Sequence, residues 1–164
     1  MSDAELLDAE RAPRRWTEPQ GVALGLWIAL ARCYATHTKA VAYKVQEYDL
    51  TVPQFGALEA LYHLGPLSLG DLAAKLLVTG GNVTYVMDRL EAQGLVSRYR
   101  SESDRRVVHA RLTETGRALV ARVFPEHAAF IEHLCRHLEP AEQQELRRLL
   151  KQLGKGIAAN DLRK

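Results

Sequence analysis

Four charged side chains, Glu102, Asp104, Arg105 and Arg106, crowd the short stretch from Ser101 to Arg106. A guanidinium presents a planar fork of N–H donors that suits phosphates and the edges of bases. Arg98, Arg100 and Arg111 flank this stretch, so residues 96–111 hold five arginines against two acids, a local excess of +3. Upstream lies a second polar set, Gly80, Gly81, Asn82, Thr84, Tyr85 and Arg89. Paired glycines admit a phosphate backbone closely, asparagine can pair with adenine, and arginine with guanine or phosphate. The chemistry on offer is recognition of nucleic acid.

Other chemistries find less support. Cys33 with a histidine could form a nucleophile pair, and Asp71 with Asp88 a carboxylate pair. Neither sits in a motif with a base, an orienting group and an oxyanion donor, so the chain reads as no enzyme. His133 and His137 are spaced i, i+4, yet no carboxylate or third ligand completes a metal set. No metal and no cofactor is expected. Cys33 and Cys135 are too few and too far apart for a disulfide framework. Cys33, on an apolar helix, reads as a small buried hydrophobe.

The elements that position the polar sets follow from caps and periodicity. Residues 1–20 read as a polar extension carrying Pro13 and Pro19, and a long helix is predicted over residues 21–48. Its first half, Val22 to Ala31, is apolar on every side and must be covered all round, which is easier between two subunits than within one small domain. Thr51-Val-Pro-Gln54 is a capping box with proline in the first turn. Leu64-Gly65-Pro66 closes that helix with a left-handed glycine cap. Ser68 and Asp71 open the next helix, Thr79 caps the one after, and Gly94 ends it. In that last helix Val83, Val86, Met87 and Leu90 recur at i, i+3, i+4 and i+7, which turns the polar set outward. Two β-favouring runs, Leu95 to Tyr99 and Val107 to Leu112, then flank the charged tip.

A closely spaced helix pair followed by a basic hairpin is a winged helix-turn-helix, with a helix for the major groove and a wing for the minor groove. The fold class is mainly α with a small β-hairpin wing, plus helices for dimerisation. The winged lobe spans residues 49–113. Residues 114–164 supply the C-terminal dimerisation helices: one predicted from Thr113 to about Leu138, bent or broken at Pro125, and a last one from Glu139-Pro140. The last carries the stripe Leu146, Leu149, Leu150 and Leu153.

Bulk composition is ordinary for a soluble globular domain. The chain has 164 residues, 47% of them hydrophobic and 26% charged, with a net charge of only +2. DNA binding is therefore argued from the placement of charge, not its total. The longest apolar stretch is stopped by Arg32, far short of a membrane span, and acidic residues stand where a signal peptide would be basic. A cytoplasmic protein with no membrane partner is expected.

The run Leu69-Gly-Asp-Leu-Ala-Ala-Lys-Leu, then Gly80-Gly-Asn-Val-Thr-Tyr-Val-Met-Asp-Arg-Leu-Glu-Ala-Gln-Gly-Leu-Val96, resembles the MarR family of bacterial transcription regulators. So do Ser103-Asp-Arg-Arg106 and Leu112-Thr-Glu-Thr-Gly-Arg-Ala-Leu119. The resemblance implies a homodimer that binds double-stranded DNA at a pseudo-palindromic operator, more often repressing than activating. It places Gly80, Gly81, Asn82, Tyr85 and Arg89 on or beside the recognition surface. It also sends Arg106 into the minor groove, with Asp104 orienting it through a salt bridge. Many relatives bind phenolic or carboxylated aromatic compounds in a cleft between the dimerisation helices and the DNA-binding lobe. Trp27, Tyr34, His37 and Tyr43 could line such a cleft, although residues of this type are more commonly core. Other relatives sense organic hydroperoxides through a cysteine near the start of the first helix. Counting back from Thr51, that position falls nearer Trp27 than Cys33, so thiol-based sensing is the alternative rather than the expectation.

Overall fold

Each helix begins where the sequence offers its exposed amides an oxygen. In the computed structural model, which describes residues 16–76 and 79–159, α1 runs from Glu18 to Gln46. It starts three residues before the expected Gly21. The cause is a second capping box: the Thr17 N–H donates to Gln20 Oε1 at 2.8 Å and the Gln20 N–H to Thr17 Oγ1 at 3.4 Å. The rest of the expected polar extension, through residue 15, lies outside the described residues.

The chain divides into two units, one ending at Ala40 and one beginning at Val41. In the first, the described residues are the stretch of α1 with its cap. Val22, Leu24, Leu26, Trp27 and Ile28 are exposed there. Their apolar character is not used for burial in the single chain.

The second unit holds the rest. The end of α1 is closed by Asp49 at φ 57, with the Asp49 N–H donating to the Gln46 carbonyl at 3.0 Å and the Leu50 N–H to that of Val45 at 3.3 Å. This is a Schellman closure with aspartate where glycine is usual, and Val45 and Leu50 supply its buried apolar contact. α2, Val52–Leu64, opens on the predicted Thr51–Gln54 capping box. Gly65 after it has φ 80 but ψ −162, so it is not the left-handed helical cap expected. Pro66 explains the difference, because the residue before a proline is pushed to extended ψ.

A strand unforeseen in the sequence, β1 (Leu67–Ser68), follows and pairs with Ala110 and His109. Ser68 Oγ then accepts from the Asp71 N–H at 3.1 Å and opens α3, Leu69–Leu76. Thr79 Oγ1 accepts from the Asn82 N–H and opens α4, Gly80–Ala92. Strands β2, Val96–Arg100, and β3, Val108–Leu112, form the antiparallel wing, and the sheet order is β1-β3-β2.

Helix α5, Glu114–Cys135, passes through Pro125 unbroken. One missing amide weakens a helix of 22 residues, but Val120, Val123 and His127 are buried on both sides of the proline and hold the turns in place. The helix ends at Cys135, so His137 lies past it and shares no helical face with His133. Helix α6, Pro140–Ala159, completes the described chain, and Leu146, Leu149, Leu150 and Leu153 on it are exposed.

The core joins Phe55, Leu58 and Leu61 of α2 to Leu72 of α3, to Val83, Val86, Met87 and Leu90 of α4, to Val96 and Ala110 of the sheet, and to Val120 and Val123 of α5. The helix pair α3–α4 and the wing are thereby seated on one support.

Candidate nucleic-acid interface

The buried face of α4 fixes which residues it presents. Val83, Val86, Met87 and Leu90 are buried as predicted, and Gly80, Gly81, Asn82, Thr84, Tyr85 and Arg89 are all exposed. A Cβ on Gly80 or Gly81 would meet nothing within 4 Å, so the start of the helix is an unobstructed surface. The Thr84 hydroxyl donates to the Gly80 carbonyl at 3.1 Å, leaving its methyl and lone pairs for a ligand. Arg89 Nε donates to the Tyr85 hydroxyl at 3.2 Å, and its guanidinium stands 5.2 Å from the Tyr85 ring centre. The two side chains form one cationic, aromatic ridge.

The wing tip is closed by hydrogen bonds among its own residues. The Ser101 N–H donates to the Val107 carbonyl at 2.9 Å, and the Val107 N–H to that of Asp104 at 2.9 Å. Arg100 Nη1 donates to the Arg105 carbonyl at 2.8 Å. Asp104 holds Arg106 three times: the Arg106 N–H and Nε reach Oδ1 at 3.0 and 3.1 Å, and Nη2 reaches Oδ2 at 3.0 Å. The Arg106 side chain is nonetheless 92% exposed. The hydrogen bonds from Arg106 hold the Asp104 carboxyl below the usual carboxylate range. A pair this exposed adds little to stability. Its effect is geometric, aiming an uncovered guanidinium from a rigid loop. Arg105 is exposed beside it.

One functional contact was not foreseen. Arg98 is not a free cation of the wing: Nη1 reaches Asp88 Oδ1 at 2.7 Å, and Nε and Nη2 reach Glu91 Oε2 at 2.9 and 2.6 Å. Counting it into the basic patch overstated the charge available there. Acids at i and i+3 late in α4, with an arginine in the strand that follows, were the available signal. Asp88 and Asp71 do not act as a pair either, since Asp71 accepts from Ser68 at 2.7 Å.

The residues expected to meet a small ligand all lie on α1. Trp27, Tyr34 and Tyr43 are 64%, 71% and 63% exposed, and His37 is exposed as well. By helical spacing Trp27, Tyr34 and His37 share a side of α1. Cys33, expected as a buried hydrophobe, is exposed, as are its apolar helix neighbours Trp27, Ile28 and Tyr34. Among the described residues no group of three or more histidines, cysteines or acids gathers as a metal site, and no helix is long and apolar enough to cross a membrane.

A helix-turn-helix whose second helix shows an open, polar start, beside a wing tipped with an aimed arginine, defines a winged-helix DNA-binding regulator of transcription. Residues 50–108 match the MarR family. The chain is 36% identical over 132 residues to the HTH-type transcriptional regulator MhqR of Bacillus subtilis, covering 80% of this chain and 91% of that one. It belongs to the MarR family. Among solved structures it is similar to BpsR of Bordetella bronchiseptica, with 30% identity, a TM-score of 0.72, and 79% of this chain and 98% of that chain covered. It is also similar to AbsC of Streptomyces coelicolor, a MarR family regulator, with 26% identity, a TM-score of 0.78, and coverage of 90% and 99%.

Proposed function

We propose that the protein is a cytoplasmic repressor that binds an inverted-repeat operator as a homodimer and releases it when a small aromatic acid or phenol binds. The observation that carries the DNA-reading part is the Asp104–Arg106 fork, an almost fully exposed guanidinium held by two hydrogen bonds, with a third from its own backbone N–H to the same carboxylate. In this reading Gly80 and Gly81 lie against a phosphate, and Asn82, Thr84, Tyr85 and Arg89 face the major groove. Arg105 contacts backbone and Arg106 enters the minor groove, where narrow A·T-rich steps concentrate negative potential.

Dimerisation is supported by the exposed apolar side chains of α1 and by the exposed leucine stripe of α6. Two-fold symmetry then asks for half-sites about one helical turn, roughly 10 bp, apart. The effector class is supported by BpsR, whose DNA binding is regulated by 6-hydroxynicotinic acid, an aromatic acid. In this reading Trp27, Tyr34 and His37, all exposed on α1, are the candidates to meet such a compound. The protein is no enzyme in this reading, since its candidate carboxylates Asp71 and Asp88 are engaged elsewhere.

The test is to select the bound fragment from the organism's own genome, then to titrate it by fluorescence anisotropy at several salt concentrations. An inverted repeat bound at one dimer per site, with affinity falling steeply in salt, is expected. Binding without sequence preference would sink the operator reading.

A further inference from the structure

The salt links around Arg98 join two elements that sequence places far apart in role. Strand β2 is at the edge of the sheet. The Leu95 carbonyl accepts from Thr113 and the Ser101 N–H donates to Val107, so by antiparallel alternation the Arg98 N–H points away from β3. That outward amide donates to Glu91 Oε1 at 3.0 Å, while the side chain of the same residue grips Glu91 Oε2 and Asp88 Oδ1. Backbone and side chain of one wing residue are thus both bound to the last turns of α4. The Arg98 side chain is only 25% exposed, so water and salt screen these links less than they do an open surface pair. The Glu91 carboxyl is lowered and the Arg98 guanidinium raised, each chiefly by their mutual hydrogen bonds.

Two carboxylates surround one guanidinium, so Arg98 brings no uncompensated charge to a phosphate. Its geometry serves something else. Asp88 immediately precedes Arg89, and Arg98 lies on the strand that leads to the tip carrying Arg106. If α4 and the wing could swing independently, DNA binding would have to order the joint between them, and that entropy would be lost from the affinity.

We propose that Asp88, Glu91 and Arg98 form a strap that makes α4 and the wing a single rigid reader, and that these three are positioning residues for DNA binding. The proposal rests on the reading that both α4 and the wing touch DNA. It makes a specific claim about non-additivity. With the strap intact, losing the wing contact forfeits its whole contribution. With the strap cut, losing that contact also spares the cost of ordering the joint, so the penalty shrinks.

The experiment is a cycle of operator affinities for the parent, Glu91→Gln, Arg106→Ala and the double variant, with thermal melts confirming folded protein. Glu91→Gln is expected to weaken binding about three- to tenfold, and the Arg106→Ala penalty is expected to fall at least about threefold in its background. Arg98→Lys, which keeps the charge and loses the fork, should reproduce Glu91→Gln. Asp88→Asn, which removes one arm, should act in the same direction but less, and its cycle replaces the first if Glu91→Gln does not fold. An Arg106→Ala penalty equal in both backgrounds overturns the strap, because a residue that only supports the fold would leave it unchanged. If Arg106→Ala and Arg89→Ala are both silent in the parent, the DNA-surface reading fails instead.

Discussion

Gly116 of α5 lies against the carbonyl of Leu95, so near that a Cβ would stand 2.0 Å from the oxygen. Thr113 fixes this approach. Its N–H donates to the same carbonyl at 3.1 Å, and its hydroxyl donates to the Gly94 carbonyl at 2.7 Å while accepting from the Gly116 N–H at 3.0 Å. The Leu112-Thr-Glu-Thr-Gly116 stretch welds the root of the wing to the first turn of the long helix.

Gly116→Ala should therefore be severe. The obstacle is backbone, not a side chain that can turn away, and overpacking of this kind costs about 3 kcal/mol or more. Thermal melting should show a large drop. A melting temperature within a degree or two of the parent's would mean the contact is looser than described.

Arg106→Ala should weaken binding to every DNA sequence and lower the salt slope by about one unit per subunit. Asp104→Ala should do less, since the guanidinium survives and only its aim is lost. Arg89→Ala or Asn82→Ala should instead relax preference at particular base pairs, by about 1–3 kcal/mol for a paired contact. Anisotropy titrations across salt and across single-base operator variants separate the two patterns.

The Glu91 carboxyl titrates lower in the folded protein than in the unfolded chain, chiefly through its hydrogen bonds with Arg98. A depressed folded value means the contribution is complete above the unfolded pKa and disappears as pH falls through the folded one. The melting-temperature gap between parent and Glu91→Gln should hold steady from neutral pH down to the ordinary glutamate range, then close below it. A gap that instead closed between pH 8 and 6 would show that another group is responsible.

Asp49→Gly should stabilise the protein. Asp49 sits at φ 57 in a closure that normally takes glycine, and removing its Cβ relieves the left-handed backbone at a gain of roughly 0.5–1 kcal/mol. Asp49→Val should lower the melting temperature, because a β-branched residue fits that conformation worst.

Leu149→Glu should give unstable or aggregated protein if the α6 stripe is a subunit interface. The parent should sediment as a dimer at micromolar concentration. A well-folded parent monomer of 18.4 kDa would end the dimer reading.

Much of this was legible because caps and periods are local. Thr51 with Gln54, Ser68 with Asp71, Thr79 and Gly94 each mark a boundary within a few residues, and the inward face of α4 repeats every turn. β1 escaped notice because two residues have no period and pair only with a strand more than 40 positions on. Asp49 escaped because its backbone angle, not its side chain, closes α1. Pro125 misled because tertiary packing on both sides outweighed one lost hydrogen bond. Arg98 misled because counting charges treats every arginine as equally available, while its partners are set by the fold. Cys33 misled because an apolar stretch implies cover, whereas that side of α1 is exposed among the described residues.

The carboxylate that holds the Arg98 amide also bears on how this protein survives at high concentration. β2 is a border strand, and an unclaimed row of amides on a border invites another chain to add itself, which is how ordered aggregates begin. Glu91 stands where the carbonyl of such an intruder would have to dock, and it brings a negative charge that repels one. On the far side β1 is only two residues long, too short a template for accretion. Each border of the sheet is thereby a poorer template for a further strand.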